Sequence, residues 1–147
     1  MKCDDKFIII FFNIISLLCS IIPTGILTFI YDKSNKFKFL FILTVIIVSI
    51  LKCIVKRKRP YVDNKEIKNN DIIYTNKNHS FPSMHTAGTT VLALLILYTY
   101  KSSCVLVFGV PFCIISRIVL GVHYFTDCLA GFLIPILLFL FMKMSIL

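Results

Sequence analysis

The chain has 147 residues, 58% of them hydrophobic, and a mean hydropathy of +0.89. Soluble domains carry roughly 45–50% apolar residues, so an ordinary water-soluble enzyme is excluded and a membrane protein remains. Sixteen Lys and Arg against seven Asp and Glu leave a net charge of +9, which suits anionic lipid, and nothing beyond that charge points to nucleic acid.

Long apolar stretches divided by Lys-bearing breaks predict an all-α, polytopic transmembrane helical bundle of about five spans, each near the roughly 17–25 residues that cross a bilayer as helix. The first runs approximately from Phe7 to Ile30. Lys2 and Lys6 ahead of it and Pro23-Thr24-Gly25 within it would also suit a secretory signal. The length of the apolar run, the acidic Asp4 and Asp5 and the lack of an Ala-x-Ala site favour a retained anchor. A second span, Phe39 to Val55, runs into a polar cluster from Lys52 to Arg59-Pro60. The connection from Lys56 to Phe81 follows, carrying Asp63, Asn64, Lys65, Glu66, Lys68, Asn69, Asn70 and Asp71; it exceeds ordinary loop lengths, which predicts a functional lid or partial disorder. The third span, Met84 to Tyr100, opens on Pro82-Ser83-Met84-His85. A fourth, Cys104 to Val122, ends near Ser116-Arg117, and a fifth, Phe125 to Met142, begins beside His123 and Asp127.

Helix rather than strand follows from span length and the absence of strict alternation, because backbone exposed to lipid must bond internally. No internal repeat is visible and there is no room for a second domain, so residues 1–147 read as one domain. Cys3, Cys19, Cys53, Cys104, Cys113 and Cys128 lie in or beside apolar segments without paired metal-ligand spacing, and are expected to be buried thiols rather than disulfides or zinc ligands.

Threading these spans through a bilayer brings the three polar clusters to one membrane face. The opposite face receives Asp32, Lys33, Lys36, Lys38, Lys101 and Lys143. Ionisable groups at the ends of apolar spans are costly and therefore functional candidates, and the convergence of three distant clusters strengthens that reading. Lys52, Arg59 and Arg117 supply positive charge suited to a phosphate monoester, arginine as a planar fork and lysine as a point charge. Pro82 is expected at the first helical position, so that free amides and the helix dipole point at the same anion, with Ser83 adding a hydroxyl donor. Two histidines, His85 and His123, suit an acid and a nucleophile in a two-step transfer. Asp127, four residues after His123, shares a helical face with it if the last helix has begun by then; it would fix the tautomer and leave the other ring nitrogen to attack. Gly121 either ends the fourth helix, letting His123 turn inward, or serves helix packing.

These residues resemble the type 2 phosphatidic acid phosphatase and vanadium-dependent haloperoxidase superfamily. Lys52 with Arg59-Pro60 resembles its first motif, and Ser116-Arg117, His123 and Asp127 resemble its third in type and spacing. The second motif differs once, with Met84 where Gly is usual. The resemblance covers roughly Lys52 to Gly131, the motif-bearing core (about 52–131). It implies a membrane lipid phosphatase in which His123 is the nucleophile, His85 protonates the leaving group and Asp127 supports His123. Lys52, Arg59, Ser83, the Met84 amide and Arg117 would hold phosphate. With His85, His123 and Asp127 assigned, the remaining motif positions are cations that would repel a metal and no Asp/Glu cluster is left for magnesium, so neither metal nor cofactor is expected. Membrane members commonly have six core helices, one more than is counted here.

The resemblance further implies a lipid phosphate substrate, contact with membrane lipids, an integral multi-pass location and an active face outside the cytosol. A formal glycosylation sequon, Asn78-His79-Ser80, lies on that face, whereas the excess of Lys and Arg there would place it in the cytosol by the positive-inside tendency. A lipid phosphotransferase, a vanadium haloperoxidase and a catalytically silent lipid-binding protein are the competing classes. The joint presence of His85, His123 and Asp127 favours an enzyme, and the apolar spans favour a lipid-borne substrate. Lys56, Arg57 and Lys58 are expected to contact lipid headgroups, and His79 to be a loop residue. Neither the choice among lipid phosphates nor the oligomeric state is written in any motif.

Overall fold

In the computed structural model, which describes residues 3–72 and 79–144, all regular structure among the described residues is helical. In chain order the helices are α1 (Cys3–Leu18), α2 (Ile21–Tyr31), α3 (Lys36–Val55), the single turn α4 (Pro60–Asp63), α5 (Met84–Tyr100), α6 (Val110–Val119) and α7 (Phe125–Met144). A π-helical turn, Val105–Gly109, leads into α6. The segment Lys36–Asp63 and α7 are long and apolar enough to cross a membrane. With α1 and α2 taken as one broken span there are three, while α5 and the Val105–Val119 segment are shorter apolar helices.

The first apolar stretch, expected as one helix, bends by 40° between α1 and α2. Pro23 is the cause. It has no N–H to donate to the carbonyl four residues back and its ring crowds that carbonyl; the carbonyl belongs to Cys19 and instead accepts from Thr89 Oγ1 of α5 at 3.4 Å. Helix α2 therefore restarts after Ser20, with Pro23 in its first turn, where the missing donor is harmless.

Helix α5 is central, packing against α2, α3, α6 and α7, and every residue from Thr86 to Leu95 is buried. A helix enclosed on all sides has no lipid-facing stripe, which is why it tolerates Thr86, Thr89 and Thr90 within its span. Away from the motifs, Phe37, Leu40 and Phe41 of α3 pack with Val91, Leu92, Leu94 and Leu95 of α5, and Phe139 of α7 stacks on Phe37 at 5.6 Å. At this end Asp32 turns the chain from α2 into α3, accepting from the amides of Phe37 and Lys38 at 2.8 and 2.9 Å. The other end gathers the C-termini of α3 and α6, the N-termini of α5 and α7, and the segment after α3.

The cysteines are free thiols, as expected for those whose side chains are described. Among the described side chains Cys113 and Cys128 are buried and Cys19 is half-buried, whereas Cys53 and Cys104 lie on the outer surface of the bundle. The side chains of Cys3, Asp4 and Asp5, together with Lys2 and the sequon residue Asn78, fall outside what the structure describes.

Candidate active site

The chain leaves α3 through Lys56, a left-handed C-cap with φ 50°, and runs extended to Arg59 before α4. In extended backbone, side chains two apart point the same way. Accordingly Arg57 and Arg59 face the site, while Lys56 and Lys58 are exposed. Arg59 is 8% exposed; its Nη1 donates to the Val122 carbonyl at 3.0 Å and sits 3.3 Å from His123 Nε2. Lys52, one turn inside α3, donates to the His79 carbonyl at 2.9 Å. Ser80 ties the far end of the connection to the same segment, its amide donating to the Arg57 carbonyl at 2.9 Å and its hydroxyl to that of Lys58 at 3.0 Å.

Helix α5 begins at Met84, so the expectation of Pro82 at the first helical position is corrected: Ser83 is the N-cap and Pro82 precedes it. Ser83 Oγ accepts from the Thr86 amide and hydroxyl at 3.4 and 3.1 Å, leaving the Met84 and His85 amides as the orphan donors that any helix start presents. Helix α7 closes on this turn. A Cβ on Gly131 would lie 2.4 Å from the Ser83 carbonyl, so glycine permits the contact that also lets the Ser83 amide donate to the Asp127 carbonyl at 2.9 Å.

After α6 the chain reverses at Gly121, whose φ of +74° is the left-handed region open to glycine. A side chain there would also strike the Lys68 carbonyl at 2.6 Å. The reversal turns His123 inward, 3% exposed, with its amide donating to the Arg117 carbonyl at 3.3 Å. Of Gly121's two expected uses, ending the helix is the one observed.

Asp127, fully buried in the first turn of α7, lies 3.5 Å from His123 Nδ1 through Oδ2. That is longer than a made hydrogen bond. The arrangement fits the Nδ1–H tautomer, with Nδ1 toward the carboxylate and the Nε2 lone pair toward Arg59. Burial, opposed by Asp127 and reinforced by the charges of Arg59, Arg117 and Lys52, pushes His123 down to about 3, so the free site holds it neutral. His85 lies within electrostatic reach of His123, Arg117, Arg59 and Lys52. Its Nε2 is buried without a hydrogen-bond partner among the described residues. Such an atom calls for an explanation.

The eight residues expected at the site, Lys52, Arg59, Ser83, Met84, His85, Arg117, His123 and Asp127, thus meet at one end of the bundle. Two further contacts were not expected. Arg57, grouped with the headgroup-binding lysines, instead donates to Asp127 Oδ1 at 2.9 Å and to Thr126 Oγ1 at 2.6 Å. Arg117 is already occupied: Nη2 pairs with Asp71 Oδ2 at 2.6 Å, both side chains being 2% exposed, and Nη1 donates to Ser16 Oγ of α1. Asp71 is held there by Asn13, whose amide donates to the Asn70 carbonyl and accepts from the Ile72 amide, each at 2.9 Å. The described part of the long connection is therefore docked over the site. Among the described residues no group of three or more His, Cys, Asp and Glu side chains could hold a metal ion.

The family model of the PAP2 superfamily matches residues 35–146. The decaprenylphosphoryl-5-phosphoribose phosphatase of Mycolicibacterium smegmatis is 38% identical over 82 residues, 56% of this chain and 43% of that protein. The match thus spans less than half of that relative. The crystal structure of a transmembrane PAP2 type phosphatidylglycerolphosphate phosphatase from Bacillus subtilis is similar with a TM-score of 0.65 at 24% identity, covering 93% of this chain and 75% of that one. The two share a fold.

Proposed function

The chain belongs to the PAP2 superfamily, and from that premise we propose that it is a membrane-embedded lipid phosphatase working through a phosphohistidine, without metal or cofactor. The observation that carries this reading is the pair of imidazoles inside a ring of cations. His123 has its Nδ1 toward Asp127 and its Nε2 beside Arg59, while His85 keeps a buried Nε2 without a partner among the described residues.

The substrate phosphate enters among Lys52, Arg59 and Arg117 and the amides opening α5, drawing Arg59 off His123 Nε2. The Nε2 lone pair attacks phosphorus in line as the P–O bond to the lipid breaks. The phosphate dianion offsets the surrounding cations and allows His85 to carry a proton, which it gives to the departing oxygen, and Asp127 accepts from the Nδ1–H that becomes more acidic as phosphohistidine forms. Water then attacks phosphorus, His85 takes its proton, and the N–P bond breaks to release phosphate and restore the imidazole. The cations act on charge developing at the equatorial oxygens, the main work in phosphoryl transfer. Vanadate, which can adopt the five-coordinate geometry, is expected to inhibit.

Both named relatives act on phosphate carried by lipid, which supports a lipid phosphate or diphosphate as the substrate class here. The test is phosphate release by the purified protein across phosphatidate, lysophosphatidate, sphingoid, polyprenyl and phosphatidylglycerol phosphates, with excess chelator and a His123→Ala control. Loss of activity with chelator, restored by magnesium, would overturn the metal-free mechanism. An added alcohol separates hydrolysis from transfer. By the family reading the active face lies outside the cytosol. Cysteine placed at Asn70, whose contacts here are made by its backbone, should label in intact cells; labelling only after permeabilisation would reverse the orientation.

A further inference from the structure

The Asp127 carboxylate has a partner on each oxygen. Oδ2 accepts from the Tyr124 amide at 2.9 Å and faces His123 Nδ1 at 3.5 Å. Oδ1 accepts from Arg57 Nη1 at 2.9 Å. The carboxylate is fully buried, whereas the arginine side chain is 36% exposed, so the guanidinium reaches inward from the rim. Its orientation is fixed twice more. Arg57 Nη1 also donates to Thr126 Oγ1 at 2.6 Å, and its Cζ lies 4.0 Å from the centre of the Tyr124 ring. That ring is in turn held by Tyr124 Oη donating to Asp63 Oδ2 at 3.1 Å.

Without a donor on Oδ1, the buried carboxylate is held through Oδ2 by the Tyr124 amide alone and can twist about its Cβ–Cγ bond or draw in water. Either change would spoil the alignment of Oδ2 with the imidazole, which is the only thing Asp127 contributes to attack. We infer that Arg57 is a positioning residue for phosphoryl transfer, pinning Asp127 Oδ1 so that Oδ2 holds His123 in its attacking tautomer. This rests on the phosphohistidine reading of the site. An ordinary rim salt bridge would be worth little. Here the carboxylate is buried and bears on the nucleophile, so truncation of its partner acts on rate, as loss of a group that orients a catalytic residue does.

The charge of Arg57 gives the role a signature. His123 is faced by Lys52 from α3, Arg59 from the connection, His85 from α5, Arg117 from α6 and Asp127 from α7. Arg57 reaches it through Asp127. Removing Arg57 leaves the carboxylate less neutralised and better able to hold a proton on His123, so the acid limb of the pH–rate profile moves to higher pH.

The experiment measures kcat and KM against pH on phosphatidate–detergent micelles for wild type, His123→Ala, Asp127→Asn, Arg57→Gln, Arg57→Lys and Arg57→Gln with Asp127→Asn. Arg57→Gln should lower kcat about tenfold with KM nearly constant, and shift the acid limb upward. Arg57→Lys should restore the limb but only part of kcat, because an ammonium has no planar face to rest on the Tyr124 ring and is held less firmly against Asp127. In the Asp127→Asn background Arg57→Gln should cost little more. An unmoved limb with additive losses would reduce Arg57 to a structural contact and overturn the inference. If Arg57→Gln does not fold, the same cycle with Arg57→Lys decides it by additivity. Full activity in His123→Ala would remove the parent reading and this inference with it, whereas a dead His123→Ala beside a wild-type-like Arg57→Gln profile would remove the inference alone.

Discussion

Asp32 and Asp127 are both buried carboxylates at the start of a long apolar helix, at opposite ends of the bundle, and they differ in what surrounds them. Asp32 accepts from the amides of Ser34, Phe37 and Lys38 and from the Ser34 hydroxyl, at 2.8–3.0 Å. Burial works against it, yet the Lys38, Ser34 and Phe37 donors hold its carboxyl below the usual range. None of its donors titrates and none needs to move. Asp127 receives one amide, and its remaining partners, Arg57 and His123, are ionisable. The first end is a finished helix cap. At the second, the carboxylate is held by partners that carry or can exchange charge, and what sets the two apart is those partners rather than burial itself.

The sharpest way to break this contrast is at the nucleophile. His123→Ala should abolish phosphate release and the acid-labile phosphoprotein trapped on rapid quenching, while leaving a folded bundle by gel filtration in detergent. Undiminished turnover would dissolve the functional reading of this end. Next come the two carboxylates. Asp127→Asn should lower kcat by about 10²- to 10³-fold, the scale of a lost catalytic orienting group, with a small change in melting temperature. Asp32→Ala should do the reverse, costing about 2 kcal/mol of stability as a cap with several charge-assisted bonds and leaving kcat of the folded protein intact. Comparable losses of kcat in both variants would erase the distinction.

Acid should also separate the ends. His123 is held down to about 3 in the fold against roughly 6.5 when unfolded. Between those values the unfolded chain binds the extra proton, so the stability associated with neutral His123 is complete above pH 6.5 and is lost as pH falls toward 3. At pH 5 the loss is about 2 kcal/mol. Thermal unfolding in detergent should therefore fall more steeply with acid in wild type than in His123→Gln; parallel slopes would contradict a neutral, buried imidazole.

How much of this was legible in the sequence follows the same division. Lys52, Arg59, His85, Arg117, His123 and Asp127 stand out because an apolar chain has few reasons to place ionisable groups at those spacings, and the fold brings them together. Arg57 was hidden inside the run Lys56-Arg57-Lys58-Arg59. The clue was the alternation of an extended segment entering Pro60, which sends Arg57 and Arg59 the same way. Asp71 gave no such clue, being one acidic residue among several in a loop without periodicity, and Ser16, which shares Arg117 with it, belongs to α1, far earlier in the chain. The bend in the first apolar stretch was only half visible: Pro23 could be seen, but the break falls where its i−4 carbonyl is, at Cys19.

The smallest expected effect concerns that loop. Asp71 already occupies Arg117 with a carboxylate 2.6 Å away and 2% exposed, so an arriving phosphate must share or displace an anion. Asp71→Asn removes the negative charge but keeps an oxygen that can accept from Arg117. The guanidinium stays in place while its charge becomes available to phosphate. Vanadate and inorganic phosphate should then inhibit at about three- to tenfold lower concentration, corresponding to about 1 kcal/mol, because a charged hydrogen bond is only partly replaced by a neutral one. The change should vanish in an Arg117→Gln background, where there is no guanidinium for Asp71 to neutralise. Weaker inhibition in Asp71→Asn would mean that the carboxylate orients Arg117 for the anion instead of competing with it, and that the loop completes the polar end rather than guarding it.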